Sequence, residues 1–440
     1  MILERVNSRA TLWVASAALV STVAAYAISN AALQAFIENS GVNIPTGDVV
    51  GDYAWGLIWA CLLLLSIFVW PVKPEHKKML AAAWLVKCFV TLVVMLPYEQ
   101  RYYGADCWTY FQLAHRGLDD FLARALSGGS ELIVVLGALY LKIGPDSYHA
   151  MKVSFSLIGL LGVYGFYRAV EILLGRRSLW AFWVLMLYPS VLFWSSILGK
   201  DPIVLAAIAL HVWGLIGIAR RGGHIHLAAI LSGIALASAV RIWMGPILIL
   251  PCLLVLWVRV RHIGWRVVAI GTIAAALTVV GPATIDRLQL DKASDFLGAT
   301  RSMTSGWDRA NSALRFDAEI NSFGDLLLFT PQSMFAAYFR PLPGDVANAF
   351  GWLAGFENLG LLGVCLWSVL RLKLVYFSNH LFLWAVALLL TWGLAYSLVA
   401  YKDLGTAVRF KLQILPVLLG LIGFLIHRCG DYRVAPPKTR

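Results

Sequence analysis

Apolar stretches of about 18 residues or more recur along most of this chain, broken by short basic, aromatic or proline-bearing turns. A stretch of that length crosses the hydrocarbon core of a bilayer as a helix, and no water is available there for unpaired backbone groups. The pattern therefore predicts an all-α polytopic membrane protein. Roughly twelve spans are expected, near 11–33, 54–72, 79–97, 150–173, 179–197, 203–219, 225–240, 244–259, 265–282, 352–370, 380–400 and 411–427.

Composition agrees: 60% of the 440 residues are hydrophobic, 14% are charged and mean hydropathy is +0.75, which excludes a water-soluble globular protein. The net charge of +12 raises the question of nucleic acid, but the positions of the bases answer it. Arg5 and Arg9, Lys73 with Lys77 and Lys78, Arg176 and Arg177, Arg220 and Arg221, Arg259 with Arg261 and Arg266, Arg371 and Lys373, and the run from Arg428 to Arg440 fall at alternate span junctions. That is the positive-inside pattern of a membrane protein with both termini cytoplasmic; no nucleic-acid partner is expected. The basic-flanked first span is longer than a signal-peptide core and reads as a retained anchor. Glu131–Ile143 is apolar but short, and is expected to lie on or dip into the outer leaflet.

The six cysteines (Cys61, Cys88, Cys107, Cys252, Cys365, Cys429) show no metal-ligand spacing, and no G-x-x-x-x-G-K-[ST] or G-x-G-x-x-G motif is present. A cytosolic nucleotide donor is not expected. The chain divides into 1–97, three N-terminal spans; 98–149, an outer loop with interfacial helices; 150–282, a bundle; 283–351, a long outer loop with an interfacial or re-entrant segment; and 352–440, further spans and a cytoplasmic tail.

On the outer face, the first short loop (Glu38, Asp48, Asp52) reads as a solvated connector, and His115 and His149 as isolated. The next loop carries Asp106, followed by an aromatic run and an amphipathic stretch, and a carboxylate kept so close to lipid points to a function. Asp106 is the leading candidate for a catalytic base. Tyr102, Tyr103, Trp108 and Tyr110 either stack on sugar rings or form an interfacial aromatic belt. Lys200 and Asp201 form a charged turn ahead of Pro202. Arg241 and Arg340 present guanidinium forks that match phosphate oxygens. Glu357 is an intramembrane carboxylate with Arg340 as an expected partner. Lys402, Asp403, Arg409 and Lys411 make an outer basic cluster that runs against the positive-inside trend, which an anionic ligand explains.

A carboxylate near the membrane surface, bases at headgroup depth and aromatic-rich leaflet segments suit transfer from a lipid-linked phosphosugar. The carboxylate takes the acceptor proton, and the cations stabilise the departing phosphate. The run Asp106-Cys-Trp-Thr-Tyr110 through the following amphipathic helix, with Trp194-Ser-Ser and Lys200-Asp201, resembles the N-terminal half of the GT-C superfamily of polyprenyl-phosphate-sugar-dependent glycosyltransferases, in particular the dolichyl-phosphate-mannose-protein mannosyltransferase-like branch. Arg340-Pro-Leu-Pro, Glu357-Asn and Gly405-Thr-Ala-Val-Arg409 are similar to bacterial membrane proteins of surface-polysaccharide synthesis. The resemblance implies a bacterial inner (plasma) membrane location, a GT-C-like fold, Asp106 as base, Asp201 as a second acid, a polyprenyl-phosphate-linked sugar as donor, a glycan or lipid acceptor and membrane lipids as surroundings; direct displacement with a single base predicts inversion at the anomeric carbon. It names no certain cofactor and leaves room for a divalent metal, although Cys107 stands where that branch has a second acid. Two other readings stay open. One is a Wzy-like polysaccharide polymerase or ligase relying on Arg301, Arg309, Arg315 and Arg340; the other is a transporter or flippase.

Overall fold

The computed structural model describes residues 22, 26, 29–40, 46–101, 106–117, 119, 121–259, 267, 271 and 323–426. Among them the architecture is helical, with no β-strand. In chain order the helices are α1 (Ala31–Ser40), α2 (Val49–Ile67), α3 (Pro74–Phe89), which continues through a π-helical turn Val90–Val94 into α4 (Met95–Arg101), α5 (Asp106–Ala114), α6 (Phe121–Ser127), α7 (Ser130–Ile143), α8 (Tyr148–Leu174), α9 (Leu179–Leu187), α10 (Pro189–Trp194), α11 (Lys200–Arg221), α12 (His224–Val240), α13 (Met244–Arg259), α14 (Phe323–Phe339), α15 (Ala349–Val369), α16 (His380–Lys402), α17 (Leu404–Lys411) and α18 (Leu415–Ile426).

Among the described residues six stretches are long and apolar enough to cross a membrane: α2, α3 with α4, α8, α11, α15 and α16; the pair α17–α18, bent by 64°, makes a seventh if it is one span. The chain is thus a helical membrane protein. Of the remaining expected spans, 179–197 is split at Pro189, whose ring removes a backbone donor and holds Tyr188 extended at ψ 120°. Those at 225–240 and 244–259 form α12 and α13, of 17 and 16 residues. Most of 11–33 and 265–282 lies outside the described residues.

Local chemistry accounts for the helix starts. Asp48 accepts from the N–H of Gly51 at 2.8 Å to cap α2, Asn348 does the same for Gly351 at 2.8 Å at α15, and Pro74 occupies the first turn of α3. Along α15 the side chains of Leu353, Phe356, Leu359, Leu366 and Trp367 are exposed, the surface of a helix that faces lipid rather than water.

The described chain divides into two compact units, Met1–Gly165 with Leu192–Ala206, and Phe166–Val191 with Ala207–Arg440. In the first, the turn after α10 is drawn against α8. A Cβ on Gly159 would lie 2.0 Å from the carbonyl oxygen of Ser195, so only glycine admits this approach. Gly159 is eleven residues into α8, about 16 Å along its axis. The turn at Ser195 therefore sits beside the middle of α8. Its polar groups are answered there by Lys87 of α3, whose Nζ donates to Ser195 O at 3.0 Å, Ser195 Oγ at 2.8 Å and Ser196 Oγ at 3.0 Å. Thr91 adds a bond to Ser156 Oγ at 3.0 Å.

In the second unit, α14 and α13 both pack on α16. Tyr338 donates to the carbonyl of Leu389 at 2.5 Å, Trp392 stacks on Tyr396 at 4.9 Å, and Trp243 donates to the Tyr396 hydroxyl at 2.6 Å.

Gly159→Ala is expected to lower stability by about 1–3 kcal/mol, because the added methyl meets backbone rather than a movable side chain. Chemical denaturation in detergent micelles measures it; an unchanged midpoint would show that the turn is not held where described.

Candidate functional site

The loop singled out from sequence folds into α5, α6 and α7, which pack on one another. Along α5, Cys107, Trp108, Tyr110, Phe111 and Ala114 are buried, whereas Asp106, Thr109 and Gln112 form an exposed stripe. Asp106 opens the helix, where the N-terminal dipole favours a carboxylate. Arg124 fixes α6 to α7 through Glu131 at 2.9 Å. Asp119 is exposed, while Tyr102, Tyr103 and Asp120 lie outside the described residues. Burial pushes the Cys107 thiol up to about 12, aided by the nearby Glu99 carboxylate, which favours the neutral thiol.

Beneath α5 lies a polar cluster centred on the first turn of α8. His149 Nδ1 makes a short hydrogen bond with Asp52, whose carboxylate also accepts from the backbone N–H of Tyr148 at 2.8 Å and of His149 at 3.1 Å. One turn on, Lys152 donates to Glu99 at 2.9 Å, with both side chains 1% exposed or less. Asp52 is therefore no part of a solvated connector, and His149 is not isolated. Each sits at the end of an apolar helix, where a buried charge persists only with a partner. His115 is also partnered, with Nε2 2.8 Å from Asp146. These pairs are separated by 31 to 97 positions, so local spacing carries no trace of them; the only sequence signal is an acid within the first turn of a span.

An open cleft of about 380 Å³ is lined by Thr46, Asp52, Phe111, Gln112, His115 and Asp146. Elsewhere in this unit, Lys200 and the buried Asp201 open α11, and Asp201 is 1% exposed.

In the second unit, Arg340 forms a two-pronged pair with Asp345, at 2.8 and 2.7 Å, and Asp345 also accepts from the N–H of Leu342 at 2.7 Å. The Arg340 hydrogen bonds hold the Asp345 carboxyl below its usual value. Glu357, expected beside Arg340, accepts instead from the N–H of Ser190 at 3.1 Å and lies near the buried Lys411. Lys411 donates to Asn358 Oδ1 at 2.5 Å, and Asn358 Nδ2 donates to the Pro341 carbonyl at 2.8 Å. Two members of the expected outer basic cluster are thus interior. Lys411 is fully buried, and Asp403 caps α17 through Gly405 N–H at 3.0 Å and a short bond from Thr406. Arg409 is half-buried in the last turn of α17; the Lys402 side chain lies outside the described residues. Arg241, 5% exposed at the end of α12, stacks its guanidinium 4.0 Å from the Phe410 ring. Among the described residues no three His, Cys, Asp or Glu side chains are grouped as metal ligands.

Compared with known families, curated proteins and solved structures, the chain matches no family, no curated protein and no solved structure.

His149→Ala leaves Asp52 buried without its side-chain partner and is expected to cost about 3 kcal/mol, read from denaturation of the detergent-solubilised protein. For Asp345 the folded carboxyl is held below its unfolded value, so the clamp contributes fully at neutral pH and is lost as pH falls. Asp345→Asn is expected to lower stability by about 1–2 kcal/mol at pH 7, with the deficit shrinking once pH drops below about 4. A deficit that grows on acidification would contradict the assignment.

Proposed function

We propose that this chain is an integral-membrane glycosyltransferase on a GT-C-like scaffold of about twelve spans, moving a sugar from a polyprenyl-phosphate donor to a glycan or lipid acceptor at the outer face of a bacterial inner membrane. The observation that carries the reading is Asp106, an exposed carboxylate opening a helix whose other face is buried, in a compact three-helix loop between two membrane-spanning stretches. That is the placement a general base needs: rigid support behind it and access in front.

In the reaction, a carboxylate oxygen of Asp106 takes the proton of an acceptor hydroxyl. The acceptor oxygen bonds to the anomeric carbon from the face opposite the phosphate, and the carbon–oxygen bond to phosphate breaks with its electron pair leaving on polyprenyl phosphate. A single displacement inverts the anomeric centre. Asp201, buried at the start of α11, suits a positioning role rather than proton exchange with the acceptor. In the second unit, Arg340 is already clamped by Asp345.

Asp106→Asn is expected to reduce transfer from a polyprenyl-phosphate-linked sugar in proteoliposomes by roughly 100-fold or more, with membrane insertion and unfolding midpoint unchanged. Full activity in that variant removes the base assignment, and loss confined to Arg340→Gln would favour the polymerase reading.

A further inference from the structure

We infer that the cleft bounded by Thr46, Asp52, Phe111, Gln112, His115 and Asp146 binds a neutral saccharide unit. Its volume of about 380 Å³ falls within the range of small-molecule sites. Its lining offers hydrogen bonding and holds no Lys or Arg to attract an anion. The Asp52 carboxylate is taken up by His149 and two backbone N–H groups, and Asp146 is paired with His115 through one oxygen only. The second oxygen of the exposed Asp146 is left to accept from a ligand hydroxyl, and the exposed Gln112 brings both an amide donor and an amide acceptor. The exposed His115 ring, held edge to face at 4.7 Å by the buried Phe111, supplies ring surface for a sugar's C–H face.

Paired donors and acceptors beside an aromatic edge match vicinal hydroxyls on a ring. Two carboxylates in the wall disfavour phosphate or a uronic acid. A divalent cation lacks its ligands, since no group of three suitable side chains occurs among the described residues. The cleft is also pre-formed: Asp52 belongs to the buried cluster under α8, and Phe111 is 4% exposed on α5. Gln112 lies six residues from Asp106 on the exposed stripe of the same helix, about 9 Å along its axis, with Thr109 between. The bound saccharide is therefore assigned as part of the acceptor, which rests on the transferase reading given above.

The test uses the full chain in nanodiscs and ligand-observed NMR with methyl glycosides of glucose, mannose, galactose and N-acetylglucosamine, alongside glucuronate and inorganic phosphate. At least one neutral glycoside is expected to bind and to outcompete both anions. Gln112→Leu, at an exposed position that leaves the fold intact, and Asp146→Asn should each weaken it about tenfold, while Glu75→Gln on α3 leaves it unchanged. Absence of neutral-glycoside binding, preference for the anions, or unaltered affinity in both cleft variants overturns the inference. The two proposals fail separately. Asp106→Asn should keep glycoside binding while losing transfer; binding without any transfer by the wild type defeats the transferase reading alone. Transfer with an unaltered acceptor KM in Gln112→Leu defeats the acceptor assignment alone.

Discussion

The first turn of α8 carries the interaction on which the first unit depends. Asp52, His149, Glu99 and Lys152 are withdrawn from water, and each would be costly there without the others. Because Asp52 comes from α2, Glu99 from α4, and His149 and Lys152 from α8, satisfying these charges fixes three helices in one register. A hydrophobic face alone would let such helices slide or rotate at little cost, since lipid tails are as apolar as the partner helix. The polar cluster removes that freedom. The helix α5, which carries Asp106, packs with Cys107 and Phe111 close to the same turn: the Phe111 ring meets that of Tyr148 at 5.6 Å.

A second constraint acts where the backbone leaves helical geometry. In lipid the freed carbonyls and N–H groups must find partners inside the protein. After α10 the turn meets Lys87, whose three N–H bonds go to oxygens of Ser195 and Ser196. In the second unit the bend around Pro341 is met in the same manner, by Asn358, which Lys411 holds in place. A buried lysine recurs in both, since an ammonium group supplies three donors and so serves oxygens that one amide would leave unmatched. These lysines are structural counterparts of the broken backbone, and their burial takes them out of the pool of bases available to a ligand.

How much of this was legible follows from range. Apolar length is local, and it marks many of the helices, whereas the break at Pro189 falls inside a stretch expected as one span. Helix caps are local too: Asp48 and Asn348 each stand three residues before the N–H they accept from. Partner choice is not local. Asp52 and His149 are 97 positions apart, and Lys411 and Asn358 are 53 apart, so from sequence Asp52 reads as solvated, His149 as isolated and Lys411 as one of a surface cluster. The same limit misassigned the partner of Arg340. Its acid is Asp345, brought within reach by the turn at Pro341, whereas Glu357, one helix further on, faces Ser190.

The division between buried and exposed carboxylates bears on the proposed catalysis. A base must be held to a fraction of an ångström yet reach a mobile substrate, and these demands conflict for a side chain on a free loop. Here they are divided between residues. Cys107, Trp108, Tyr110, Phe111 and Ala114 immobilise α5 by burial, leaving Asp106 at its exposed first position. The acids beneath, Asp52 and Glu99, are committed to His149 and Lys152 and serve to hold the scaffold. Among these three acids, only Asp106 combines solvent access with a rigid support. The proposed glycosyl transfer by direct displacement would need one such base, not two, which accords with a cysteine rather than a second acid at position 107.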